Sequence, residues 1–166
     1  MEAILSIDPG NTESGFVVTD RSDGMKILKC GKVKNAELKE NIPRLIEEYG
    51  IKNTVIEMIA SYGMAVGREV FETCVWIGRF KEVITALGCE CDYIYRREEK
   101  LYICGDSRAK DANIRRALID EFAEHDLKSG KGTKKNPDFF YGVSKDAWMA
   151  FAVAVTWCRK RDESDA

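Results

Sequence analysis

Ala3-Ile4-Leu5-Ser6-Ile7-Asp8-Pro9-Gly10 is an apolar run that stops on a carboxylate and a turn, and the reading of the fold starts there. In an extended strand Ile4, Ser6 and Asp8 share one face while Leu5 and Ile7 share the other. Both faces are therefore largely apolar, as in a central strand covered on two sides. Asp8 then sits at the strand's carboxyl end, where open α/β sheets place their ligand sites. Pro9-Gly10 turns the chain.

Outward from this strand, Gly15 to Asp20 and Met25 to Val33 are rich in strand formers and joined by short turns, which predicts a three-stranded antiparallel meander. Leu38, Ile42, Leu45, Ile46 and Tyr49 mark one face of a helix ended by Gly50, with Pro43 either in its first turn or kinking it. Asn53 to Glu57 is a short strand that again finishes on an acid. A long helix is expected over 66–87, apolar on more than one stripe and hence buried on two sides. Cys91 to Tyr95 is a fifth strand, followed by an amphipathic helix over 107–122. The Lys-, Gly-, Ser- and Thr-rich segment 125–136 reads as a mobile loop. A last helix over 144–161 is kept slim by Ala147, Ala150, Ala152 and Ala154, and 162–166 reads as a frayed acidic tail. The expected architecture is a single α/β domain over 1–161, a five-stranded mixed sheet of three antiparallel and two parallel strands flanked by helices.

The chain has 166 residues and a formal net charge of only -2, so any nucleic-acid contact must come from local basic patches. Six scattered cysteines without paired spacing read as reduced core thiols, and Cys89-x-Cys91 lacks the further ligands a zinc site wants. No apolar run is long enough to cross a bilayer, so a cytoplasmic protein with no membrane partner is expected. His125 is the sole histidine and lies in a polar segment, which argues against a Ser/His/Asp triad. Gly130-Lys131-Gly132-Thr133 lacks the strand and spacing of a phosphate loop.

Three carboxylates end or begin elements: Asp8, Glu57, and Asp146 at the start of the last helix, on the same face as Ala150, Val153 and Trp157. If the first and fourth strands are parallel neighbours, Asp8 and Glu57 lie side by side. Clustered acids call for a cation, and all-oxygen ligation suits Mg²⁺ or Mn²⁺. Two such ions per site can activate water and stabilise the leaving oxygen in phosphodiester hydrolysis.

These motifs carry a family likeness. Ile4-Leu5-Ser6-Ile7-Asp8-Pro9-Gly10 with Ser14-Gly15-Phe16, then Val55-Ile56-Glu57, then Lys145 to Ala154, resemble the RuvC-type Holliday-junction resolvases of the ribonuclease H-like superfamily, in a form like that of bacteriophages. The resemblance implies a homodimer that nicks four-way junctions or other branched DNA, with Asp8, Glu57 and Asp146 as catalytic metal ligands. Two alternatives from the same residues are a nuclease acting on hybrids or flaps and a catalytically silent branched-DNA-binding module. In bacterial members the last helix usually carries a second ionisable ligand three residues on, where this chain has Met149. A thioether is a poor ligand for Mg²⁺. Asp138 or Asp111 is a candidate replacement, and ion occupancy is otherwise expected to depend on the DNA phosphate.

Candidate DNA contacts fall in two basic stretches. Arg96, Arg97, Lys100, Arg108, Lys110, Arg115 and Arg116 are interspersed with acids; Lys128, Lys131, Lys134 and Lys135 are not. Lys145 adjoins Asp146, and Tyr62 and Arg68, just after Glu57, are placed to reach a phosphate or a base. Phe139 and Phe140 read as core residues that anchor the Lys-rich loop.

Overall fold

The computed structural model describes residues 1–166. Its strands are β1 (Ala3–Asp8), β2 (Glu13–Asp20), β3 (Lys26–Lys34), β4 (Asn53–Met58) and β5 (Glu90–Tyr95), and its helices are α1 (Asn35–Tyr49), α2 (Arg68–Ala86), α3 (Arg96–Cys104), α4 (Asp111–Phe122) and α5 (Ala147–Asp165). The strands form one sheet in the order β3-β2-β1-β4-β5. β1 and β3 flank β2 antiparallel, while β4 runs parallel to both β1 and β5. This is the expected mixed sheet, with β1 at its centre.

The period-2 pattern of β1 divides the core. Leu5 and Ile7 pack with Leu38, Ile42, Ile77, Phe80 and Ile84 from α1 and α2. Ile4 faces the opposite layer, where α5 supplies Ala147, Ala150, Phe151 and Ala154. Ser6, on that same face and fully buried, donates to the Ala150 carbonyl at 2.7 Å. That hydrogen bond satisfies a buried hydroxyl and fixes α5 along the strand. Asp8 follows in register on the α5 side.

Four elements differ from the sequence reading. Residues 96–104 form a helix of their own, and the next helix starts only at Asp111. The first carries no 3.6-residue apolar stripe, since its one fully enclosed side chain is Glu99. α2 is buried on one side only: Phe71 and Val75 are 62% and 54% exposed, as is the preceding Met64 at 73%. α5 continues through the acidic residues expected to fray, with Asp162 paired to Arg21 and Glu163 accepting from the Tyr102 hydroxyl at 2.6 Å. Pro43 lies in the interior of α1, beyond its first turn and on its exposed side.

The segment expected to be a mobile loop is tied down by two carboxylates. Asp138, its side chain wholly enclosed, accepts from the backbone N–H groups of Glu124, His125, Asp126 and Phe139 at 2.6–2.9 Å. Asp126 accepts from those of Lys128, Ser129 and Gly132. Thr133 and Asn136 exchange backbone hydrogen bonds at 3.0 and 3.1 Å, closing a turn with Lys134 and Lys135 at its tip. Gly130, at φ 72°, lies against Phe140; a Cβ there would come within 2.8 Å of that ring. Its glycine therefore serves packing rather than approach to a phosphate. Phe140 is buried and stacks on Trp148 with centroids 4.0 Å apart, so this segment, a finger over 125–140, is anchored to α5. All six cysteines are free thiols, and no helix is long and apolar enough to cross a membrane.

Candidate active site

The pairing of Ile7 with Ile56 sets the carboxyl ends of β1 and β4 side by side, and Asp8 and Glu57 with them. Asp146 arrives from above as the N-cap of α5. Gly15, opposite Asp8 across the β1–β2 pair, makes room for it: a Cβ on Gly15 would lie 2.5 Å from the Asp146 carbonyl oxygen. The three acids are thus brought to one rim of the sheet, and the negative charges of Asp146 and Asp111 bear on Asp8. Asp146 itself is ion-paired to Lys32 of β3, Nζ to Oδ1 3.1 Å.

The centre of the cluster holds a guanidinium. Arg96, the first residue of α3, donates from Nε and Nη2 to the two oxygens of Glu57 at 3.0 and 3.1 Å, a bidentate pair. The same group lies 3.9 Å from Asp8, 3.7 Å from Glu99 and 3.7 Å from Asp111. Four carboxylates from β1, β4, α3 and α4 therefore surround one arginine. Its Nη1 is buried without a hydrogen-bond partner, and so are both oxygens of the wholly enclosed Glu99.

This arrangement carries more negative charge than its surroundings neutralise. Burial, then the charges of Glu99 and Asp8, push the Glu57 carboxyl up to about 9 against the pull of Arg96. Burial pushes Glu99 up to about 8, again opposed by Arg96. Asp8 is raised by burial too, offset in part by Glu57 and Arg96. A set of carboxylates held at such cost binds protons or cations readily, and hard oxygen donors of this kind suit Mg²⁺ or Mn²⁺. As the side chains stand, no three acids are disposed to hold one ion, and Arg96 lies between Asp8, Glu57 and Glu99.

Of the two candidates to replace the acid missing at 149, Asp111 reaches the cluster and Asp138 does not. Asp138 is consumed by four backbone amides, which hold its carboxyl well below the usual range despite the burial that opposes them. Met149 is half-buried against the α5 core. The residues that sequence reasoning missed are Glu99, Lys32, and Arg96 in its inward role. The clue was present, since Arg96 to Glu99 directly follow β5, whose end is paired with that of β4.

The candidate DNA contacts are dispersed. Tyr62, 60% exposed and in the left-handed region at φ 50°, lines a groove of about 310 Å³ with Arg96, Arg97, Lys100 and Ser107. Arg96, whose guanidinium stands at the acidic cluster, is thus also one of the residues that line this groove. Arg68 is paired along its own helix with Glu72 at 2.6 Å, and Arg108 with Asp106 at 3.3 Å. Lys110 caps α4, and Lys128, Lys134, Lys135 and Lys145 are exposed while Lys131 is half-buried. Arg96 apart, none of these makes an ion pair with Asp8, Glu57 or Asp146. Arg115 lies over the Trp148 ring at 4.9 Å, and Arg116 is taken up by Asp120 and the carbonyls of Leu127 and Lys128, so both serve packing.

Comparison with solved structures decides the architecture. RuvC from Thermus thermophilus superposes with a TM-score of 0.73 at 12% identity, covering 98% of this chain and 96% of that one. This is the RuvC fold. The RuvC fold also appears at a TM-score of 0.73 and 14% identity in T. thermophilus RuvC bound to its Holliday junction substrate, with 99% and 97% of the chains covered. The yeast mitochondrial Holliday junction resolvase is similar at a TM-score of 0.63 and 12% identity, over 98% of this chain and 80% of that one. No protein-family model and no curated protein sequence matches the chain.

Proposed function

We propose that the protein is a divalent-metal-dependent endonuclease that nicks branched DNA, four-way junctions included, by phosphodiester hydrolysis. The observation that carries this reading is the convergence of Asp8, Glu57 and Asp146 on one rim of a RuvC fold that spans essentially the whole chain. Asp8, Glu57 and Asp146 would hold the ions. Mg²⁺ or Mn²⁺, when bound there, lowers the pKa of water and offsets charge on the leaving oxygen. The chain's own part is to orient the acids: β1 and β4 set Asp8 and Glu57 in register, and the Ser6 bond to Ala150 fixes the helix that brings Asp146. Lys134 and Lys135 offer a point of attachment for backbone phosphates.

A homodimer is part of the proposal. Its support is the apolar stripe of Phe71 and Val75 on α2, left uncovered by the rest of the chain. A twofold axis there would present two sites to two strands of a junction.

One observation favours the alternative of a silent branched-DNA-binding module: Arg96 is already paired with Glu57 and Lys32 with Asp146. Incubating the protein with labelled four-way junction, flap, hybrid and linear duplex in Mg²⁺ or Mn²⁺ separates the readings. Paired nicks in the junction that vanish in Asp8→Asn, Glu57→Gln and Asp146→Asn are expected. Junction binding without cutting in either metal would establish the silent module, and preferential cutting of hybrid or flap would assign the other substrate class.

A further inference from the structure

Glu99 and Arg96 are not accounted for by the three acids of the proposed nuclease. Glu99 is wholly enclosed, and a buried carboxylate with neither oxygen hydrogen-bonded is costly unless something else occupies its lone pairs. Arg96 supplies charge at 3.7 Å but no hydrogen bond to it. The Arg96 guanidinium is the common neighbour of Asp8, Glu57, Glu99 and Asp111. It lies where a cation shared by those carboxylates would lie, and its own Nη1 is left without an acceptor. Arg96 also lines a groove with Tyr62, Arg97, Lys100 and Ser107, whose other charged residues are both basic, so an anion that enters it would draw Arg96 that way.

We propose that Arg96 is a resident counter-cation that keeps divalent ions out of the acidic cluster until a phosphate draws it into the adjacent groove, and that Glu99 then takes part in holding the ion. This rests on the reading of Asp8 and Glu57 as metal-binding acids. It accounts for an enclosed Glu99 in a chain whose last helix lacks a second acid at 149, and it couples ion binding to the arrival of DNA. Arg96 is a positioning residue here, since it acts through the carboxylates rather than on the reacting atoms.

The test is a titration of the DNA-free protein with Mn²⁺, the unbound ion being followed by electron paramagnetic resonance. An opposite charge within about 4–6 Å moves a carboxylate's proton affinity by about 1–3 log units, so removing Arg96 should tighten Mn²⁺ by about tenfold or more. Arg96→Gln is expected to show that gain, and Arg96→Gln with Glu99→Gln to lose most of it. Arg96→Lys, which keeps the charge, should stay near the wild type. A four-way junction with uncleavable linkages should tighten Mn²⁺ binding by the wild type and leave Arg96→Gln unchanged. Mn²⁺ affinity equal to or weaker than wild type in Arg96→Gln overturns the proposal, as does a full gain retained without Glu99. If Arg96→Gln unfolds without metal, its melting transition must be restored by Mn²⁺ and not by NaCl of equal ionic strength; failure of that rescue overturns it too. Since the DNA-free titration involves no cutting, tightened binding in a protein that cuts nothing would retire the nuclease reading and keep the latch. Cutting without tightening would do the reverse.

Discussion

Gly15→Ala puts a methyl group where the start of α5 meets the sheet. The new Cβ would stand 2.5 Å from the Asp146 carbonyl oxygen and 3.3 Å from its carbonyl carbon, while real Cβ contacts essentially never fall under 3.0 Å. The neighbour is backbone, which cannot rotate aside, so β2 and the α5 N-terminus must part by about 0.5 Å, an overpacking strain of about 1–3 kcal/mol. The displaced residue is one of the three proposed metal ligands. A misplacement of about 1 Å costs about a hundredfold in rate, so half that distance should cost about tenfold. Gly31→Ala is the matched control on the neighbouring strand, since its Cβ would meet only the Phe16 ring edge at 3.2 Å, which can give. The assay is single-turnover junction cleavage at saturating Mn²⁺, with urea denaturation of the same preparations. Cleavage by folded Gly15→Ala at the wild-type rate would refute the reasoning, because Asp146 would then tolerate a shift that a ligand cannot.

Replacing both Lys134 and Lys135 with Ala should lower the slope of log affinity against log salt by about 1.8, at about 0.9 for each phosphate no longer neutralised, and weaken binding to all junction sequences alike; an unchanged slope in a binding titration would remove the finger from the interface. Phe71→Asp with Val75→Asp should convert the dimer to monomer by light scattering and raise the dissociation constant more than tenfold, equivalent to more than about 1.4 kcal/mol, without unfolding the subunit. Asp138→Asn should release the finger, seen as faster hydrogen exchange at the amides of residues 124–126. The carboxyl of Asp138 is depressed in the folded protein, so its contribution is full above about 4 and is lost as pH falls through the folded value; exchange at those amides should therefore quicken with acid beyond the intrinsic trend.

The sheet was legible because β1 is a short run, largely apolar on both faces, that ends on Asp8, and a second short run ends in the same way on Glu57. The approach of Asp146 was legible as well, from an alanine-rich helix that can only pack close. Much of the rest depended on contacts between residues far apart in the chain. Nothing in Arg96-Arg97-Glu98-Glu99 distinguishes a solvated, charged turn of helix from one whose first arginine and last glutamate point inward. That choice is made by β5 lying beside β4, which brings four acids within reach of one guanidinium. The Lys-rich finger was misread for a related reason. Its composition is that of a mobile loop, and its order depends on Asp126, which binds amides close ahead of it, and on Asp138, whose amide partners at 124–126 lie too far back in the chain for spacing to reveal. On α2, apolar residues on several stripes suggested burial on two sides, yet Thr73, Ile77, Phe80 and Ile84 alone are enclosed.

The finger that carries Lys134 and Lys135 has consequences for recognition beyond its charge. Ordering a flexible lysine-rich loop on a ligand sacrifices conformational entropy at the moment of binding, about 1–2 kcal/mol per residue of backbone. Here Asp126, Asp138 and the Phe140–Trp148 stack impose that order during folding. The lysine pair is consequently preorganised, at a fixed separation from the first turn of α5. If the finger contacts DNA as proposed, the ligand would have to match that spacing rather than mould the loop to its own, and the finger would measure shape, as a caliper does.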